Sequence, residues 1–199
     1  MPKRSDSKDR MIAAARRLFR EHGYFGTALS EVVAESSAPR GSLYFHFPGG
    51  KEELATEVAL VHAADAIAHI NRAAGTTSTA AELIAAFIGR SRDELVASGY
   101  REGCAVAPIV IESTPASAHL SDTTRRGFQD MIATLGARLA EKGVPDERAS
   151  RLALNAVTAM EGALILSRVL RSPEPFDAAI AELGASAQAA EATERTPAR

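Results

Sequence analysis

Pro39-Arg40-Gly41-Ser42-Leu43-Tyr44-Phe45-His46-Phe47, then Pro48-Gly49-Gly50, then Lys51-Glu52-Glu53-Leu54, is the stretch that decides the fold. Pro39 suits the first turn of a helix, where its missing N–H is not needed, and the helix is expected to reach about Phe47. Leu43 and Phe47 stand at i and i+4 and share the face turned toward the core. Tyr44 and Phe45 then point outward. Gly41 and Ser42 give the helix a slim start. The Pro-Gly-Gly loop ends it, and a long helix begins near Lys51, with Glu52 and Glu53 in the first turn where acids favour the dipole.

Working upstream, Ile12, Ala15, Leu18 and Phe19 follow one helical face, and Gly23 supplies a C-terminal stop. Leu29 to Ala34 reads as a second helix, closed by a Ser36-Ser37 turn. Three short helices with these stops predict a compact trihelical head over residues 1–50. In a helix-turn-helix the second helix of the motif enters the major groove and the first braces it. Small residues at its start permit close approach to DNA. Arg40 carries a fork suited to guanine O6 and N7, or it touches phosphate alone. Tyr44 offers a hydroxyl to a phosphate oxygen, and Phe45 an apolar edge to a thymine methyl. Lys51 lies at a helix N-terminus, where exposed N–H groups already attract phosphate. His46 is expected to pack or cap rather than to contact DNA. Gly49-Gly50-Lys51 is not a nucleotide loop, because Glu52 stands where Ser or Thr is required and no strand precedes it.

Downstream the signals stay helical. The helix from Lys51 should end near Gly75, and Thr79 with Glu82 forms a capping box for the next, which runs to about Ser98. Cys104–Glu112 reads as a short apolar helix kinked at Pro108. Long helices follow over Pro115–Lys142, from Pro145 to about Arg171, and from about Ser172 to Ala190. Val106–Ile111 is the one segment open to a strand reading. The expected class is all-α: a three-helix head over 1–50, a larger helical domain over 51–190, and a disordered polar tail over 191–199.

Composition narrows the function. Residues 1–50 hold eight bases and five acids, a charge of +3; the whole chain is −2, which leaves −5 for the rest. A basic head on an acidic body suits a polyanionic partner at one end. One cysteine, Cys104, excludes an internal disulfide and fits a reducing cytoplasm. No run of about 18 uninterrupted apolar residues suggests a membrane span. There is no metal-ligand cluster, nucleotide loop or oriented triad, so no enzyme, metal or cofactor is expected. The enzymatic alternative would pair Cys104 with His119 or Glu112. A helical interaction protein with an inactive head is the other.

The runs Thr27–Ala34, Pro39–Phe47 and Lys51–Leu54, with Ile12, Ala15, Leu18, Phe19 and Gly23, resemble the DNA-binding domain of the TetR family of bacterial transcriptional regulators. The resemblance implies a dimer whose Arg40, Gly41, Ser42, Tyr44 and Phe45 face the operator, with Thr27 and Ser30 in the same set and Lys51 on backbone phosphate. Two departures stand out. Ser37 occupies the usual turn glycine, so a left-handed backbone there costs stability. Arg40 replaces the usual Lys, with a different hydrogen-bonding fork. Gly49-Gly50 and Gly103–Ala107 are similar to the subgroup of LmrA-like drug- and flavonoid-responsive repressors.

In the body, the helix over about Arg148–Arg171 is apolar on nearly every side, and Ala153, Ala156, Ala159, Gly162 and Ala163 permit close helix approach. The last helix carries Ala178, Ala181, Gly184 and Ala185. The family resemblance implies that these two helices pair with their symmetry mates, matching a pseudo-palindromic operator with half-sites about 34–36 Å apart. The alternative is packing within one subunit. Asn155, Thr158 and Glu161 form a polar row on the apolar helix. Glu161 needs a partner: either an arginine such as Arg168, or a small-molecule cavity lined also by Phe87, Ile88, Ile109, Phe128, Ile132 and Met160. An effector that favours a form with wrongly spaced heads would release the operator. Cys104 is either inert packing or a redox sensor.

Overall fold

The computed structural model describes residues 4–113 and 116–194, with side chains except at 4, 5, 40 and 192–194. Among these residues every regular element is helical: α1 (Arg4–His22), α2 (Leu29–Glu35), α3 (Leu43–His46), α4 (Gly50–Thr76), α5 (Ala80–Ala97), α6 (Ala107–Ser113), α7 (Ala118–Ala140), α8 (Asp146–Leu170) and α9 (Glu174–Glu194). A 3-10 turn over Arg40–Ser42 leads into α3. The all-α reading holds, and Val106–Ile111 is no strand.

Local chemistry accounts for the helix ends. Gly23 takes φ +84°, and its N–H donates to Phe19 O, closing α1. The Glu31 carboxylate accepts the Ala28 N–H at 2.7 Å, which is half of a capping box; Ala28 has no side-chain oxygen to supply the other half. At α5 both halves are present between Thr79 and Glu82. Pro108 does not kink α6. The helix starts at Ala107, so the proline lies in its first turn, where no intrahelical N–H bond is lost. The last helix runs through Glu194, beyond the expected stop at Ala190; residues 195–199 of the expected tail lie outside the described residues.

The chain divides into two compact units. The first takes residues up to Ala63 together with Cys104–Gly127. Its core holds Met11, Ala15 and Phe19 of α1, Val32 of α2, Leu43 of α3 and Leu54 and Val58 of α4, joined by Ile109 of α6 and Leu120 of α7. The second takes Ala64–Gly103 and Phe128 onward. There α5, α8 and α9 pack together, burying Leu83, Ile84, Phe87 and Ile88 with Leu152, Ala156, Met160 and Phe176.

Helix α8 has the length and mean hydropathy of a membrane span, which a count of uninterrupted apolar residues misses, yet 44% of that stretch is buried inside the fold. Its small residues Ala153, Ala156 and Ala163 are buried within the subunit. For these three the close helix approach is made within the subunit, whereas Ala159 and Gly162 are half-buried and Gly162 has open space around it. The exposed side of α8 presents large aliphatics instead: Leu154, Ile165, Leu166, Val169 and Leu170. On α9, Ala178, Ala181 and Ala185 are exposed at helical spacing.

Candidate nucleic-acid interface

Two anchors set the direction of every side chain in the short reading helix. Leu43 is 2% exposed and Phe47 is fully buried, whereas Tyr44 and Phe45 between them are 67% and 61% exposed. Helical geometry makes this arrangement follow from the anchors alone: holding i and i+4 inside turns i+1 and i+2 out. The preceding turn is braced by Ser42, whose hydroxyl donates to Pro39 O at 2.6 Å. Gly41 is exposed, with open space around its Cα. The Arg40 side chain, expected to reach a base, lies outside the described residues, although its backbone forms the start of the 3-10 turn.

The turn between α2 and the reading helix contains Ser37 at φ 51°, the left-handed conformation expected from the missing glycine. Its neighbours hold it there. Ser36 is nearly buried, its hydroxyl donates to Val33 O, and its carbonyl accepts from Arg10 Nε of α1 at 3.1 Å. Arg17 of α1 pairs with Glu35 at the end of α2 at 2.5 Å. Together α1, α2 and the turn form the frame that fixes the reading helix. An open groove of about 810 Å³ runs between α2 and α3, lined by Leu29, Ser30, Val33, Ala38, Leu43 and Tyr44.

Thr27 does not belong to the DNA-facing set. It is 1% exposed, and its hydroxyl donates to Gly23 O at 2.8 Å. Its job is to close the α1–α2 turn, and burial removes it from any external contact. Ser30 is exposed on α2.

Lys51 stands in the first turn of α4, with Nζ 4.7 Å from the centre of the Tyr24 ring. Partial burial pushes its pKa down, opposed by the negative charges of Glu112 and Glu31. Tyr24, 7% exposed, is held above the ordinary phenol value by burial, then by Glu52 and Glu112. Glu112 comes from α6. Its carboxylate accepts the Phe25 N–H at 2.5 Å and lies 2.7 Å from where a Cβ on Gly23 would stand, so a side chain there would have to displace the carboxylate. Gly49 N–H is bound by the Glu53 carboxylate at 2.8 Å, which fixes the entry into α4. His46 is half-buried, its ring 5.1 Å from Phe45 and 6.4 Å from Phe47.

Sequence reasoning missed Tyr24 and Glu112. Tyr24 carried a signal, an aromatic directly after the glycine stop. Glu112 carried none, because its partner is 87 residues away.

The residues proposed to line a ligand cavity are divided between the two units. Phe87 and Met160 are buried in the second unit, where the Ser91 hydroxyl donates to the Met160 sulfur at 3.2 Å. Phe128 and Ile132 of α7 are half-buried. Ile109 is buried in the core of the first unit. Asn155 and Thr158 lie on the exposed side of α8, away from the buried face that carries Met160, and Glu161 is half-buried. Cys104 is buried beside His62, with Sγ 3.9 Å from Nε2, and accepts the N–H groups of Val106 and Ala107. His119 is exposed.

Residues 11–58 match the family described as "Bacterial regulatory proteins, tetR family", and residues 80–182 match "Transcriptional regulator LmrA/YxaF-like, C-terminal domain". An uncharacterized HTH-type transcriptional regulator of Mycobacterium tuberculosis is 35% identical over 179 residues, covering 85% of this chain and 88% of the relative. The HTH-type transcriptional regulator LmrA of Bacillus subtilis is 30% identical, covering 86% and 91%. Among solved structures, a TetR transcriptional regulator from Chloroflexus aurantiacus superposes with a TM-score of 0.76 at 27% identity, covering 93% of this chain and 96% of that one. These relatives are transcriptional regulators rather than enzymes. With a helix-turn-helix head, an outward aromatic pair on its reading helix and both halves of the chain matched, the protein belongs to the TetR family of DNA-binding transcriptional regulators, in its LmrA/YxaF-like group.

Proposed function

We propose that the chain is a homodimeric repressor of the cytoplasm that grips a pseudo-palindromic operator and leaves it when a small-molecule effector binds. In this reading residues 1–50 hold the DNA and residues 51–190 dimerise and take the effector. The observation that carries it is the exposed Tyr44–Phe45 pair, aimed outward by buried Leu43 and Phe47. Arg40, Tyr44 and Phe45 take the major groove, with Gly41 and Ser42 allowing close approach and Ser30 and Lys51 on phosphate. Dimerisation uses the exposed aliphatics of α8 and the small residues of α9. The effector cavity draws on Phe87, Phe128, Ile132 and Met160 in the second unit, with Glu161 at its edge.

The test is a selection of genomic fragments with purified protein, then a salt titration on the enriched fragment. An inverted repeat bound far more tightly than scrambled DNA supports the reading, and Arg40→Ala should then relax preference at one base position at a cost of about 1–3 kcal/mol. The same fragment screens compounds for release. No enrichment, with residual binding lost at moderate salt, would sink it.

A further inference from the structure

Four contacts in the first unit run in series. The Glu112 carboxylate of α6 accepts the Phe25 N–H at 2.5 Å. It also packs against Gly23, whose missing Cβ leaves the space the carboxylate fills. Between these two residues stands Tyr24, buried, its ring 5.6 Å from Phe19 of α1 in an edge contact. On the Tyr24 ring rests Lys51, at 4.7 Å. On its turn side the Tyr24 ring also meets the Phe25 ring, 5.3 Å away, so the conformation of residues 23–25, which Glu112 holds at Phe25 N–H, sets where the ring stands and where the ammonium rests on it.

Resting on the reading that Lys51 grips operator phosphate, we infer that Glu112 is a positioning residue for DNA binding. It belongs to no part of the helix-turn-helix. It holds the α1–α2 turn through one backbone hydrogen bond, and through Tyr24 it holds Lys51 at the phosphate. A carboxylate accepting an amide N–H is a charge-assisted bond, stronger than a neutral one. The reach of the side chain matters as much as its charge. Glu112 is anchored by α6 itself, since Ile109 on the same helix is fully buried in the core shared with α1. The grip on phosphate is therefore set partly from α6.

Four variants of the full-length protein, assayed on the selected operator fragment with thermal melting alongside, test this. Glu112→Ala should weaken binding about tenfold, the scale of one lost charge-assisted hydrogen bond. Glu112→Gln keeps an acceptor at the same reach and should stay within about threefold of the parent. Glu112→Asp keeps the charge but withdraws it by one methylene, and it should behave like the alanine variant even if that variant folds poorly. In a Lys51→Ala background the Glu112→Ala loss should largely vanish, because both changes break one chain of contacts. Binding of Glu112→Ala within twofold of the parent overturns the inference. So does a ranking in which Asp matches the parent and Gln does not, or a loss that is fully additive with Lys51→Ala. If the parent protein selects no operator, it is the functional reading that fails.

Discussion

The ammonium of Lys51 lies over the face of the Tyr24 ring, 4.7 Å from its centre. Such a contact places a cation without satisfying its hydrogen bonds, so its N–H groups stay available to an anion. Partial burial pulls the Lys51 pKa down, while Glu112 and Glu31 push it back up. Lys51→Ala should therefore weaken binding evenly across DNA sequences and reduce the slope of log affinity against log salt by about one. A loss confined to one operator sequence, with the salt slope unchanged, would show that Lys51 does not meet phosphate.

Ser37 holds φ 51° in the turn that sets the reading helix against α2. A side chain in the left-handed region costs energy that glycine avoids, though glycine adds freedom to the unfolded chain. Ser37→Gly should stabilise the protein by roughly 0.5–1 kcal/mol, read as a higher urea midpoint with the same m value. A lower midpoint would mean the serine makes a stabilising contact that outweighs its strain.

His69 of α4 bonds through Nε2 to the Ala86 carbonyl of α5 at 3.1 Å, and burial is the first cause that lowers its pKa, with Arg90 and Arg72 adding to it. Its folded value lies below the unfolded one near 6.5. Stability is then fully present above the unfolded pKa and falls as pH drops below it, levelling once the lower folded pKa is passed. The midpoint of unfolding should fall between pH 7 and pH 5, and His69→Gln should remove part of that dependence. An identical pH profile in the variant would clear His69 of the effect.

Ile165 and Val169 are 63% and 77% exposed on α8, one turn apart. Aliphatic residues on an exposed face mark an interaction surface when they are contiguous. Ile165→Glu with Val169→Glu should halve the mass measured by light scattering and leave the melting of the subunit within about 0.5–1 kcal/mol, because neither side chain is buried within it. Binding to an inverted repeat should fall toward that of a half-site. A double variant that stays dimeric would move the interface off α8.

How much of this was legible without coordinates varies by element. The α1, α2, α5 and α8 bounds follow from glycine stops, caps and apolar spacing, because those signals act within a turn or two of the chain. The outward aim of Tyr44 and Phe45 followed from Leu43 and Phe47 by helical period alone. Thr27 failed because a small polar residue before a helix serves equally as an external contact or as a turn closure, and only its bond to Gly23 O separates them. Pro108 failed because the start of α6 was placed three residues early, which put the proline in the interior instead of the first turn.

What the sequence by itself determined is the class of the chain and which side chains of α3 face outward, since periodicity, capping and turn chemistry are local and survive translation into structure. The tertiary structure alone decided which faces are spent. Ala153, Ala156 and Ala163 of α8 are buried among α5, α7 and α9 of the same unit with Leu152, Val157 and Leu164, leaving Leu154, Ile165, Leu166, Val169 and Leu170 outside. Ile109 went to the core of the first unit, and Glu112 to the backbone of Phe25. A helical pattern shows that a face is apolar or that a carboxylate is present. Which distant surface meets it depends on packing between segments far apart in sequence, and no local signal carries that information.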